Sequence, residues 1–111
     1  SDLLASQAER AAAAGDLAEA ERLVRESERM DADNPQTLAA WAAVHLAAGR
    51  KAEAVTAAEA AARRRPRRSA YHVLVGDARR ANGDLGGARR AWERALEVDP
   101  NDRTAQRRLG R

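Results

Sequence analysis

The 111-residue chain has no cysteine, no phenylalanine, one methionine, and a single lysine, Lys51. Without thiols it forms no disulfide, holds no thiolate zinc site and carries no cysteine nucleophile. Imidazole is almost as scarce. His45 and His72 are the only histidines, and neither lies in an HExxH pattern. A calcium loop and a glycine-rich phosphate loop are missing too; Gly86-Gly87 lacks the lysine such a loop needs and reads as a loosened helix start. No catalytic residue, metal site or cofactor is expected. No apolar run is long enough to span a bilayer, and no signal or transit peptide is expected ahead of the first helical pattern. The chain opens on Ser-Asp rather than Met and is expected to be a segment of something longer.

What is present is mostly alanine and arginine. Ala supplies 29 residues and Arg 19 of the 20 basic side chains; 33% of residues are charged, 44% are hydrophobic, and the net charge is +3. That balance is too apolar for a disordered tail, so one folded, soluble domain or short repeat array is expected. Alanine favours helix but offers little apolar area, so stability must come from many close backbone approaches rather than a few large side chains. The excess of Arg over Lys is read partly as a coding bias of the source and is not in itself a binding signal.

Sliding the chain along itself exposes a period of 34: Gly15, Gly49 and Gly83, Ala20, Ala54 and Ala88, and Pro66 and Pro100 all keep that spacing. Such self-similarity marks stacked supersecondary units that cannot bury their apolar faces alone. Each unit reads as two helices around a glycine that closes the first in the left-handed region. Asp16 with Glu19 forms a capping box, and Asn34 before Pro35 caps and starts the next unit. Helices are predicted over 2–14, 17–30, 35–48, 51–64, 69–82 and 85–98. Rows of small residues (Ala8, Ala42, Gly76; Ala20, Ala54, Ala88; Ser27, Ala61, Ala95) let them approach. Leu4, Leu38, Trp41, Val75, Leu17, Leu85, Val24, Val55, Trp92, Leu96 and Val98 are expected to fill the gaps between.

On these residues the chain resembles the tetratricopeptide repeat family. The third unit matches best, through Val75-Gly76, Gly83-Asp84, Ala88, Trp92, Ala95-Leu96 and Asp99-Pro100-Asn101. The second keeps Gly49, Ala54, Ala61 and Pro66, the first Gly15-Asp16, Ala20 and Asp31. The resemblance implies an all-α, right-handed α-solenoid of three helix-turn-helix hairpins, 1–34, 35–68 and 69–102. Residues 103–111 would form a capping helix or the start of a truncated fourth repeat. Unit one departs from the pattern at Gln7, Glu21, Ser27 and Glu28, which predicts a wetted outer side. His45, His72, Trp41 and Trp92 fall at or beside packing positions of the family, and Tyr71 lies next to one, so all are expected to pack rather than to react or stack on bases.

In the family, the first helix of each unit lines a concave face. Carried over, the groove residues are Glu9, Gln36, Ala39, Ala43, Leu46, Val73, Asp77 and Arg80, a shallow apolar lining with sparse polar markers. It suits a peptide segment or amphipathic helix of another protein. Co-chaperones of this family hold a C-terminal carboxylate with Lys, Asn and Arg; here those positions are Ala5, Glu9, Ala40, Ala70 and Leu74, so that clamp is absent. The resemblance thus implies a non-enzymatic adaptor.

Charge supplies two alternatives. Residues 1–34 carry a net −5, 35–68 a net +5 and 69–111 a net +3, so oppositely charged ends could drive weak self-association. The run Arg63, Arg64, Arg65, Arg67 and Arg68 follows a helix C-terminus and could meet an anionic surface. A dedicated nucleic-acid site is not expected, because the net charge is small and no exposed aromatics interleave the bases.

Overall fold

A computed structural model describes residues 2–111. Seven helices follow one another: α1 (Asp2–Ala13), α2 (Leu17–Met30), α3 (Pro35–Ala48), α4 (Lys51–Arg64), α5 (Ser69–Ala81), α6 (Leu85–Val98) and α7 (Arg103–Arg108). No strand occurs among the described residues. The helices pair as antiparallel hairpins α1/α2, α3/α4 and α5/α6, each stacked on the next, and α7 packs on α6. The result is a short solenoid 36 × 25 × 21 Å in extent.

The repeat explains the hairpins. Gly15, Gly49 and Gly83 take φ of +83°, +79° and +83°, where a Cβ would strain the backbone. Behind each, the next amide bonds back into the helix: Asp16 N to Ala11 O at 2.9 Å, Arg50 N to His45 O at 2.8 Å, Asp84 N to Arg79 O at 2.9 Å. This closure satisfies carbonyls that the helix end would otherwise orphan. The following helix then starts on an aspartate where one is available: Asp16 Oδ1 accepts from Glu19 N at 3.3 Å and Asp84 Oδ1 from Gly87 N at 2.8 Å.

The middle unit breaks this pattern twice. Arg50 stands where Asp16 and Asp84 cap, and Arg68 where Asn34 and Asp102 cap; neither arginine makes a side-chain cap bond. Arg50 instead reaches across units, donating to Glu21 Oε1 at 2.9 Å and to His45 Nδ1 at 2.9 Å. Arg64 bonds the Asp33 backbone carbonyl at 3.0 Å and its carboxylate at 3.2 Å. Part of the sequence's charge segregation is therefore neutralised inside the chain, unit one's acids meeting unit two's bases.

The small-residue rows lie buried as expected: Ala8, Ala42, Ala20, Ala54, Ala88, Ala61 and Ala95 are inaccessible, letting backbones touch at roughly one methyl group per contact. Trp92 packs closely against Gly76, where any Cβ would collide with the indole.

Three expectations need correction. Leu85, the first residue of α6 beside the α5–α6 turn, is 68% exposed rather than packed. Ser27 is not wetted but fully buried, its hydroxyl sharing a 2.7 Å hydrogen bond with Thr37 of the next unit. Gly87 does not loosen α6. It is buried, and a Cβ there would strike the Asp84 carboxylate that caps the helix.

Candidate peptide-binding groove

The first helices of the three units, α1, α3 and α5, form one face. Toward their N-terminal ends they enclose a cleft of about 310 Å³. Asp2, Ser6 and Glu9 come from α1, Gln36 and Ala39 from α3, and Ala70, Tyr71 and Leu74 from α5, with Arg68 just ahead of it. Tyr71 is 5% exposed and forms the floor against Ala39 and Ala61. The Arg68 guanidinium lies 4.9 Å from the centre of the Tyr71 ring, a cation–π distance. Burial pushes the Tyr71 phenol above its ordinary pKa, and Arg68 partly opposes it.

The cleft is polarised. Burial pushes the Glu9 carboxyl up, with Arg68 pulling the other way. Asp2 accepts from Asn34 Nδ2 at 3.3 Å. Acid therefore sits at the α1 wall and base at the α5 wall, with small side chains between.

The eight groove residues expected from the sequence are dispersed. Glu9, Gln36 and Ala39 meet in the cleft, although Ala39 contributes little surface because it is 2% exposed. Ala43 and Leu46 lie half-buried further along α3, Leu46 against the core of unit two. Val73 is turned inward, buried with Trp92, Ala88 and Ala105, because α7 closes over that part of α5. Asp77 is engaged by Arg108 and by Trp92 Nε1, the latter at 3.1 Å. Arg80 is exposed and lies 5.4 Å over the Trp92 ring.

The five arginines of the basic run also part company. Arg68 enters the concave cleft, Arg64 pairs with Asp33, and Arg63 leans into a trough on the opposite, convex face. Arg65 and Arg67 stay exposed at the α4–α5 turn.

Sequence reasoning missed Tyr71 as the cleft floor and Arg68 as its cation. The broken cap pattern, Asn34, Arg68, Asp102, was the signal for the second. A convex hollow of about 600 Å³ between α2 and α4 was missed as well. There Trp41, half-buried and packed against the core of unit one, is stacked on His45 at 5.1 Å and donates to Glu28 at 2.9 Å. No described helix is long and apolar enough to cross a membrane, and no group of three potential metal ligands occurs among the described residues.

Residues 69–111 match the family model described as tetratricopeptide repeat. Over those residues the chain is similar to tetratricopeptide repeat proteins. A search of curated proteins by sequence finds no match. Solved structures share the repeat stack. An O-GlcNAc transferase mutant from Thermobaculum terrenum superposes with a TM-score of 0.86 at 26% identity over 96% of this chain. The chain spans only 21% of that one. The Sgt2 TPR domain from Aspergillus fumigatus gives 0.85 at 29% identity, covering 98% of this chain and 74% of the other. The first TPR of Spaghetti (RPAP3), bound to the HSP90 peptide SRMEEVD, gives 0.82 at 23% identity, covering 96% of this chain and 85% of that one. That last likeness carries the fold alone.

Proposed function

We propose that this chain is a non-enzymatic interaction module that holds a peptide segment of a partner protein in the concave cleft. Arg68 carries the reading. Its counterparts Asn34 and Asp102 each cap a helix through a side-chain bond, at 2.8 Å to Gln36 N and 3.1 Å to Ala105 N, whereas Arg68 forgoes the cap and places a cation over Tyr71 in the cleft. A cap is worth about 0.5–2 kcal/mol, so the exchange sacrifices stability at a position facing the groove, as binding sites commonly do.

The cleft's polarity describes the guest: a short segment with a base toward Asp2 and Glu9, an acid toward Arg68, and a small apolar side chain over Ala39 and Leu74. An acidic tail such as the HSP90 peptide held by Spaghetti is a poor fit, since Asp2 and Glu9 repel it and the carboxylate clamp is absent.

Peptides selected from a displayed library on the intact chain provide the test. Ala70→Trp fills the cleft from an exposed position. Arg68→Asn removes the cation while restoring a cap, so it should melt higher than the parent yet bind the selected peptides at least about tenfold more weakly. Peptides that bind both variants as well as the parent would remove the concave face from consideration.

A further inference from the structure

The convex side of the third hairpin carries a second groove, unrelated to the concave cleft. α4, α5 and α6 enclose a trough of about 450 Å³ whose walls are basic and whose floor is apolar. Arg63 comes from α4, Arg79 from α5, and Arg90 and Arg94 from α6; residues remote in sequence are thus gathered around one hollow. Glu59 is the one carboxylate in the lining, and Arg79 already holds it at 2.8 Å. Among the described residues, Arg63 and Arg90 pair with no carboxylate. The floor is Ala62, Val75 and Ala91, with Pro66 at one end.

The trough does not stop there. Pro66 and Arg94 also border an adjoining hollow of about 570 Å³, which adds Arg67, Glu97 and Val98. Among the described residues, Arg94 pairs with Glu97 alone, at 3.4 Å, with both side chains more than half exposed. Such a pair is worth about 0–1 kcal/mol and yields readily to a stronger anion.

The geometry points to a second binding site in this trough, for an acidic, amphipathic peptide segment of a partner protein. Unpaired guanidiniums on facing walls recognise carboxylates by paired hydrogen bonds, and the apolar floor takes the segment's hydrophobic side. Nucleic acid is less suited, because no Trp, Tyr or Phe lines the trough to stack a base, and the one ring in the lining, the His72 imidazole, is tied to the Pro66 carbonyl at 2.7 Å. A membrane surface is less suited because the floor is recessed between helices, while a flat anionic surface would meet only the rim.

The probe is a fluorescent peptide of about 14 residues with glutamates flanking a leucine stripe at helical spacing, titrated onto the intact chain by anisotropy. Its glutamine counterpart, an oligothymidylate and vesicles containing phosphatidylserine are titrated alongside. Saturable binding of the glutamate peptide is expected, weakened at least tenfold in the glutamine peptide and at least tenfold by Arg63→Gln with Arg90→Gln. Both substituted side chains are exposed, and circular dichroism should show the helices retained. Ala70→Trp, which blocks the concave cleft, should leave this binding unchanged, so this site and the proposed concave one stand or fall separately. No binding of the glutamate peptide, equal binding by the double variant, or tighter binding of oligothymidylate or vesicles would each overturn the assignment.

Discussion

Asp77 and Arg108, 31 residues apart, are joined by a two-pronged ion pair, Arg108 Nε to Oδ1 at 2.9 Å and Nη2 to Oδ2 at 3.1 Å. The bond ties α7 to α5, and its Asp77 acceptor raises the Arg108 guanidinium still further above its already high pKa. The same carboxylate takes the Trp92 indole proton. A residue that sequence reasoning placed in an open groove is thus the clasp of the C-terminal helix.

Arg108→Ala should therefore cost about 1–2 kcal/mol, the range for a charge-assisted, largely shielded pair. That corresponds to a drop in Tm of about 4 °C or more. Thermal melts followed by circular dichroism check it; an unchanged Tm would mean that α7 docks without the clasp.

Two glycines should respond oppositely to alanine. Gly76→Ala forces the Trp92 indole off α5 and should cost about 1–3 kcal/mol, with a shift in tryptophan emission as Nε1 leaves Asp77. Gly86→Ala meets only the tip of Arg90, at 3.4 Å, and should stabilise α6 by about 0.5–1 kcal/mol. Urea midpoints of the two variants separate the effects.

Stability should decline in mild acid because of His45. Burial first, then the Arg50 charge, hold its imidazole below the ordinary value of 6.5, and its Nδ1 must stay unprotonated to accept from Arg50. The unfolded chain binds that proton more readily. The contribution is present in full above the ordinary imidazole pKa and is lost as pH falls through the lower folded value. His45→Gln should flatten the urea-midpoint profile between about pH 7 and 5; an unaltered slope would assign the acid loss to other groups.

Much of the fold was legible because its determinants are local. Glycine at a positive φ, aspartate or asparagine ahead of a helix, and alanine at every close approach each act within a few residues, and the period of 34 repeats them. The helix limits differ from expectation by one residue at most, at Ala13 and Ala81. The site was less legible. Val73 and Asp77 hold groove positions by register, yet α7 covers one and clasps the other, and nothing near them in the chain announces that contact.

The sequence alone determined the hairpin, its turns and its number of copies, since each rests on backbone preferences within a single unit. Only the tertiary structure decided which arginine faces which groove. Arg63, Arg64 and Arg68 are near neighbours in one run, but helical rotation about α4 and the turn that follows send them to the convex trough, to Asp33 and to the concave cleft. Side-chain direction depends on the three-dimensional path of the backbone, and charge counted along the chain cannot reveal it.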